Sequence, residues 1–330
     1  MPHFVYDNTG PVECPAAVDY TKVKGKTVII TGVGSNGLGE AYVNAFADNG
    51  LVSYLSFCCQ RRPAPARDAL RSVQVGTWSR QLVCSRVSID FRLSVLFVKC
   101  DASSWEDQVA LFEIAKARSP QGGIDIVIAN AGIFKEDLFF VGLDSPAPTK
   151  PNLKMMDVNI YGVFYTAKLA AHYFSQQLVE RYDRCLILIG SVMSYLDTYG
   201  AVGYGLSKHA VRGLMGVLRR RGLMRVNMLA PWYTHSKVNT PEFNKVLEGL
   251  FASQGLSFAR VEDAVKAVMR IATDPTLNGH ALSNVPTVVA PSGYVDLGMD
   301  DFQEGTLLDR FQKSVAEIKY GHMVSPQGQK

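Results

Sequence analysis

No apolar run in this chain approaches the ~20 residues that a membrane-spanning helix needs, so no membrane association is expected. Cysteine is scarce, with six in 330 residues, none in a Cys-x-x-Cys pair and none at metal-ligand spacing from histidine. That usage argues against a disulfide framework or a metal centre and fits a reduced, cytoplasmic setting. The six histidines are scattered and read as structural or solvated. The first residues have neither a basic start nor an apolar h-region, so no secretory signal is expected. No linker or composition break divides the chain. One catalytic domain is therefore expected over residues 24–296, between an N-terminal arm (1–23) and a C-terminal tail (297–330).

Acidic residues and lysine are nearly missing from one stretch. Between Leu51 and Val98 there are seven arginines and two aspartates, with no lysine and no glutamate. This local excess is larger than the net charge of the whole chain, +4. The positive balance thus has a local source, and a nucleic-acid-binding surface is not implied.

What is present is apolar strand material, at 47% hydrophobic residues, enough for a sizeable core. Thr27–Thr31 is a β-branched run, and Gly32-Val33-Gly34-Ser35-Asn36-Gly37-Leu38-Gly39 follows at once. A helical segment, Glu40–Ala47, comes next. Strand, glycine turn and helix together form the context in which such glycines mark a dinucleotide site. The backbone can approach a pyrophosphate there, and the helix N-terminus offers it free amides. The alternative is a plain tight turn. Further buried strands are expected at Val95–Cys100, closed by Asp101, and at Ile124–Ala129, which ends in Asn130-Ala131-Gly132. Another is expected at Arg225–Ala230, stopped by Pro231.

A fourth strand, Leu186–Ile189, ends in Gly190-Ser191, and Tyr204 and Lys208 follow on a helical segment. Residues i and i+4 share a helix face, so the Lys208 ammonium is held near the Tyr204 phenol. A free phenol titrates near pH ~10 and is a poor base at neutrality. A fixed positive charge favours phenolate, and a serine hydroxyl can hold a substrate oxygen beside it. Tyr-x-x-x-Lys alone is a weak pattern; its company gives it meaning.

Taken jointly, the glycine turn, Asn-Ala-Gly, Asn159 at the start of an apolar helix, the Ser/Tyr/Lys set and the Arg-Val-Asn strand resemble the short-chain dehydrogenase/reductase family, from about Lys24 to Pro291. The tail, Asn278–Leu282 and Gly293–Asp301, resembles fungal members near 15-hydroxyprostaglandin dehydrogenase and 5′-hydroxyaverantin dehydrogenase. The resemblance implies an α/β fold, a doubly wound, mostly parallel seven-stranded Rossmann-type sheet with helices on both faces. It implies Asn159, Ser191, Tyr204 and Lys208 as the catalytic set. The implied cofactor, NAD or NADP, would be held by Gly32, Ser35, Asn36, Gly37, Leu38, Gly39, Asp101, Asn130, Ala131, Gly132, Tyr204, Lys208, Pro231 and Thr234, with Ser236 as the alternative to Thr234. It also implies a homodimer or homotetramer. Two departures stand out: four residues, not three, separate Gly32 from Gly37, and Trp232 follows Pro231 where many members have glycine.

The expected function is interconversion of a secondary alcohol and a ketone on a bulky apolar small molecule, in fungal secondary metabolism. The apolar stretch Trp232-Tyr233, Phe243, Val246, Leu247, Leu250, Phe251 would lie over the substrate or simply pack the domain. Residues 51–97 do not fit this pattern. Leu51–Phe57 serves as a strand, but Cys58–Arg92 lacks helical periodicity and holds half of the cysteines. The preferred reading is translated non-coding sequence such as a retained intron, because family-like sequence stops and resumes abruptly around it. The other reading is a genuine insertion whose Arg61 and Arg62 grip a 2′-phosphate. A non-catalytic dinucleotide-binding protein, or a gene product impaired at its second strand, is the alternative function.

Overall fold

The computed structural model describes residues 4, 6, 10–15, 17–34, 37–50, 52–57, 95–134, 139–178, 183–197, 200–235 and 241–316, of which 52–57 by backbone alone. Ser35, Asn36, Arg61, Arg62, Ser236 and the whole of 58–94 lie outside the described residues.

The short β-branched runs become strands because both of their faces are covered. In chain order the strands are β1 (Thr27–Ile30), β2 (Val52–Phe57), β3 (Val95–Lys99), β4 (Ile126–Ala129), β5 (Cys185–Ile189), β6 (Arg225–Leu229), β7 (Ala281–Asn284) and β8 (Tyr294–Asp296). The sheet order is β3-β2-β1-β4-β5-β6-β7-β8, and only the β7–β8 pair is antiparallel. The expected seven strands are the parallel set, and the short eighth strand covers the β7 edge. Val52–Phe57 pairs in parallel with β1 on one side and β3 on the other, so the expected second strand takes its family place.

The helices are α1 (Leu38–Asp48), α2 (Trp105–Arg118), α3 (Lys154–Met156), α4 (Val163–Ser175), α5 (Val202–Leu218), α6 (Pro241–Ser253), α7 (Val261–Thr273) and α8 (Leu307–Ala316). Strand alternation sorts the core into two layers. Ile29, Val127, Leu186 and Val226 face α2, α4 and α5, where they meet Phe112, Phe174 and Met215. Val28, Ile30, Ile128 and Ile187 face α1 and α7 and meet Phe46, Val268 and Ile271. Strand order reverses at β1, between β2 and β4, and ligands of open α/β sheets bind in the crevice at such a point. Among the described residues no helix is long and apolar enough to cross a membrane.

The opposite end of the sheet is tied by a buried cation. Arg225, 1% exposed, pairs with Asp183 through Nε at 2.8 Å and Nη2 at 3.0 Å. Its Nη1 donates to the carbonyls of Ile271, Asp274 and Leu277. Lys26 also reaches Asp183, at 2.8 Å, which joins β1 to β6. Removing one partner of such a buried assembly leaves a charge and several carbonyls unpaired. Arg225→Leu should lower the unfolding free energy by about 3–5 kcal/mol, read as the urea midpoint.

Candidate functional site

At the carboxyl end of β1 the chain turns through Gly32 at φ +71°. A Cβ at this position would lie 2.4 Å from the Ala131 Cα, so no side chain fits. A Cβ at Gly39 would lie 2.6 Å from Asn130 Nδ2 and from the Gly32 carbonyl. Asn130 clips this turn to β4: its Nδ2 donates to the Thr31 and Gly32 carbonyls at 2.9 and 2.7 Å. The Thr31 hydroxyl accepts in return from the backbone amides of Asn130 and Ala131. Asn130 and Ala131 therefore act through the glycine turn, and Thr31 belongs to the same clip. Its signal was the hydroxyl directly before Gly32 in the motif.

Gly37 differs from these two. Among the described residues a Cβ there would approach only the Gly34 carbonyl, at 3.9 Å. Gly37 is the N-cap of α1, and having no side chain it adds none to the helix N-terminus at that space. A cavity of about 240 Å³ begins here, with Gly37 and Leu38 on one side and Thr234 and His235 on the other. The N-terminus of α1, the open glycine and the Thr234 hydroxyl fit a dinucleotide pyrophosphate. Asp101 stands exposed just past β3, with its Oδ1 accepting from the amide and hydroxyl of Ser103.

The four expected catalytic residues stand beyond β4 and β5. Ser191 caps a 3-10 turn, Val192–Ser194, and accepts from the Met193 amide at 3.2 Å. The turn is tied to the end of β6, since Val192 N donates to the Pro231 carbonyl at 3.1 Å. The Ser191 hydroxyl also lies beside the Tyr204 phenol, one turn before Lys208 on α5. Lys208 is 5% exposed, lies 5.6 Å from the Tyr204 ring centre and donates to the Ile189 carbonyl at 3.0 Å. Asn159 is fully buried in a π-helical segment, Asp157–Gly162, that leads into α4. Its amide accepts from Ile133 N at 2.8 Å and donates to Ile133 O at 2.9 Å and to the Ser207 hydroxyl at 3.1 Å. Gly132 closes this group, its Cβ position 3.5 Å from Asn159 Oδ1 and 3.6 Å from Lys208 Nζ.

The electrostatics differ from the expectation that Lys208 pulls the phenol down. Burial raises the Tyr204 pKa above its ordinary value, and the hydrogen bond from Ser191 works against that rise. Burial also pushes Lys208 down, to about 8. Charge is costly for both groups in this dry site, which outweighs their mutual help.

Around Tyr204 the walls are aromatic. Phe134, half exposed, meets the Tyr204 ring edge-on at 5.2 Å. The expected cover is divided by burial. Leu247 and Phe251 of α6 pack with Phe258 beneath Trp232 and Tyr233, whereas Phe243, Val246 and Leu250 face solvent. Phe134 was not anticipated; its signal was an aromatic residue two places after Asn-Ala-Gly.

The sequence profile of the family described as short chain dehydrogenase matches residues 26–246. A 5'-hydroxyaverantin dehydrogenase of Dothistroma septosporum is 31% identical over 89% of this chain and 94% of its own length. The NADP-dependent dehydrogenase M3 of a Phoma species is 28% identical over 90% of this chain and 87% of its own. A short-chain type dehydrogenase/reductase from Mycobacterium marinum superposes with a TM-score of 0.63 at 21% identity, over 80% of this chain and 96% of its own. With that match over most of its length, and with the glycine turn and the Ser/Tyr/Lys group in one crevice, the chain belongs to the short-chain dehydrogenase/reductase family of oxidoreductases.

Proposed function

We propose that this chain interconverts a secondary alcohol and a ketone on a bulky apolar small molecule, with NAD or NADP, in fungal secondary metabolism. The observation that carries the reading is Ser191 beside the Tyr204 phenol with buried Lys208 alongside, near the glycine turn and the N-terminus of α1. The relatives named 5'-hydroxyaverantin dehydrogenase support a hydroxyl-bearing substrate, and those named NADP-dependent support that form of the cofactor. The compartment proposed is the cytoplasm, and residues 24–296 are proposed as the catalytic domain.

Gly32, Gly37, Leu38, Gly39 and Thr234 would hold the cofactor, with Asn130, Ala131 and Gly132 shaping its bed. The dinucleotide supplies or takes the hydride. Tyr204 exchanges a proton with the substrate oxygen, which Ser191 orients by a hydrogen bond. Lys208 offers the nearest cationic charge to the developing phenolate. Asn159 fixes the Ile133 backbone and, through Ser207, the first turn of α5, whose Tyr204 carbonyl accepts from the Ser207 hydroxyl at 2.8 Å. Phe134 and Tyr233 favour a bulky apolar substrate over a small polar one.

Because burial holds the phenol above its ordinary pKa, Tyr204 is protonated at neutral pH and ready as an acid for ketone reduction. Oxidation needs the phenolate, so its rate should rise with pH while reduction falls at the alkaline end. Tyr204→Phe should abolish turnover and leave cofactor affinity nearly unchanged, since only the proton-transfer group is lost. Retention of more than about a tenth of kcat would sink the assignment.

Lys208 has a linked effect on stability. From about pH 8 to its ordinary 10.5, the unfolded chain holds a proton that the folded chain has shed. Stability therefore rises with pH across that window, and below it the burial costs roughly 3 kcal/mol. In Lys208→Met this contribution disappears. The stability difference, wild type minus variant, should grow between about pH 7 and about pH 10 in urea titrations. A constant difference would count against a depressed lysine.

A homodimer or homotetramer through α4 and α5 is also proposed. Tyr161 and Phe164 are exposed at the start of α4, and Leu206 and Val217 along α5. The α5 glycines Gly205, Gly213 and Gly216 have open space where a Cβ would point, so a second helix can approach closely. Light scattering at micromolar concentration should give at least twice the monomer mass, and a monomer would refute the assembly.

A further inference from the structure

Behind the Ser191–Tyr204 pair lies a polar assembly that the mechanism above does not use. Asp300, on the strap that leaves β8, divides its two carboxylate oxygens between two elements. Oδ2 accepts from the Tyr195 hydroxyl at 2.6 Å, and Oδ1 accepts from Arg212 Nε at 2.7 Å. Tyr195 closes the turn that Ser191 opens. Arg212 lies one helical turn past Lys208 on α5. The guanidinium also stacks 4.0 Å over the Tyr195 ring and donates to the carbonyls of Ser194 and Met299. Ser194 continues the link inward: its hydroxyl accepts from Ser191 N at 3.3 Å and donates to the Lys208 carbonyl at 2.8 Å. The pair is largely shielded, with side-chain exposures of 10% for Asp300 and 30% for Arg212.

One carboxylate is thus fastened to both pieces that bring hydroxyls to the reaction, the Ser191 turn and the helix of Tyr204 and Lys208. We propose that Asp300 is a positioning residue: by holding Tyr195 and Arg212 together, it sets the separation of the Ser191 and Tyr204 hydroxyls on which proton transfer depends. This rests on the reading of Tyr204 as the proton-transfer group. Burial and the Asp300 carboxylate both raise the Tyr195 pKa, so Tyr195 remains a hydrogen-bond donor throughout the working range. The groups facing the Tyr204 phenol are Ser191, Lys208, Tyr233 and the Phe134 ring. Of these, only Ser191 pulls its pKa down. If the turn drifts, that hydrogen bond is lost and the phenol becomes harder to ionise.

Asp301 is a built-in control. It sits next along the same strap and is just as firmly fastened, to Tyr6, Arg219 and Arg220. Among the described residues none of these hydrogen-bonds the Ser191 turn, and Arg219 reaches Asp300 only at its backbone carbonyl, at 2.6 Å, which the Asp300 side chain does not affect. The two aspartates therefore separate holding the strap from holding the site.

The test follows oxidation of 1-acenaphthenol, a polycyclic secondary alcohol, by the full-length chain with whichever nicotinamide cofactor it binds more tightly. Asp300→Asn should lower kcat about 10- to 100-fold, the scale of a small misplacement, with the cofactor KM little changed. The pH at which the oxidation rate rises should move upward. Tyr195→Phe should move it the same way, and Asp300→Glu should recover part of the rate. Asp301→Asn should keep both rate and pH profile, even if it melts earlier. Equal losses in Asp300→Asn and Asp301→Asn with no movement of the profile would overturn the proposal, as would an unaltered Asp300→Asn. If Asp300→Asn does not fold, Tyr195→Phe carries the profile measurement, since it loses a single hydroxyl; an unmoved profile there also overturns the proposal. Turnover surviving in Tyr204→Phe would instead defeat the underlying reading of the site. Hydrogen exchange of the Val192–Tyr195 amides needs no substrate: it should quicken in Asp300→Asn and not in Asp301→Asn, and equal rates in both would again overturn the proposal.

Discussion

A Cβ on residue 32 would stand 2.4 Å from the Ala131 Cα, and one on residue 39 would stand 2.6 Å from the Asn130 amide nitrogen. The ends of β1 and β4 can meet only because both positions are bare. From that contact the rest of the crevice follows. The Asn130 amide locks the turn, α1 leaves it with its N-terminus pointing over the sheet, and Gly132 settles against Asn159 and Lys208. The glycine turn and the group of Asn159 and Lys208 are then set side by side by one backbone approach. No flexible side chain intervenes, so the spacing between the two cannot drift.

Ionisation in this crevice is governed by burial more than by attraction. Tyr204 and Lys208 are neighbours, yet burial moves each toward its neutral form. Burial keeps the phenol neutral, with Ser191 beside it and a lysine of lowered pKa behind. The surrounding field then decides, and polar groups that fix the Ser191 turn gain leverage over the chemistry without touching substrate. The π-helical turn at Asn159 has a related effect, because it lets one amide bracket the Ile133 backbone while still meeting Ser207.

Much of this was legible in the residues. Ile126–Ala129, Cys185–Ile189 and Arg225–Leu229 read as buried strands because every residue is apolar or, for Arg225 and Asn227, paired inside. The i, i+4 spacing of Tyr204 and Lys208 translated directly into proximity. What spacing could not convey was sign: i+4 places a charge near a phenol, but the balance between attraction and burial depends on what else seals the site. Nor could it reveal Asp300, whose partners Tyr195 and Arg212 lie far back along the chain and share no periodicity with it. The eighth strand escaped for a similar reason, since Tyr294–Asp296 is too short to alternate and owes its form to pairing with β7. The second strand, in contrast, was placed correctly from its β-rich composition even though the residues after it match no helix.

The Tyr6 hydroxyl bonds to Asp301, and the Tyr6 ring lies beneath the guanidinium groups of Arg219 and Arg220 at 4.2 and 4.7 Å. During synthesis Tyr6 leaves the ribosome long before Asp301, so its berth is complete only once Asp301 has emerged. That contact can therefore form only after every strand of the sheet has been synthesised.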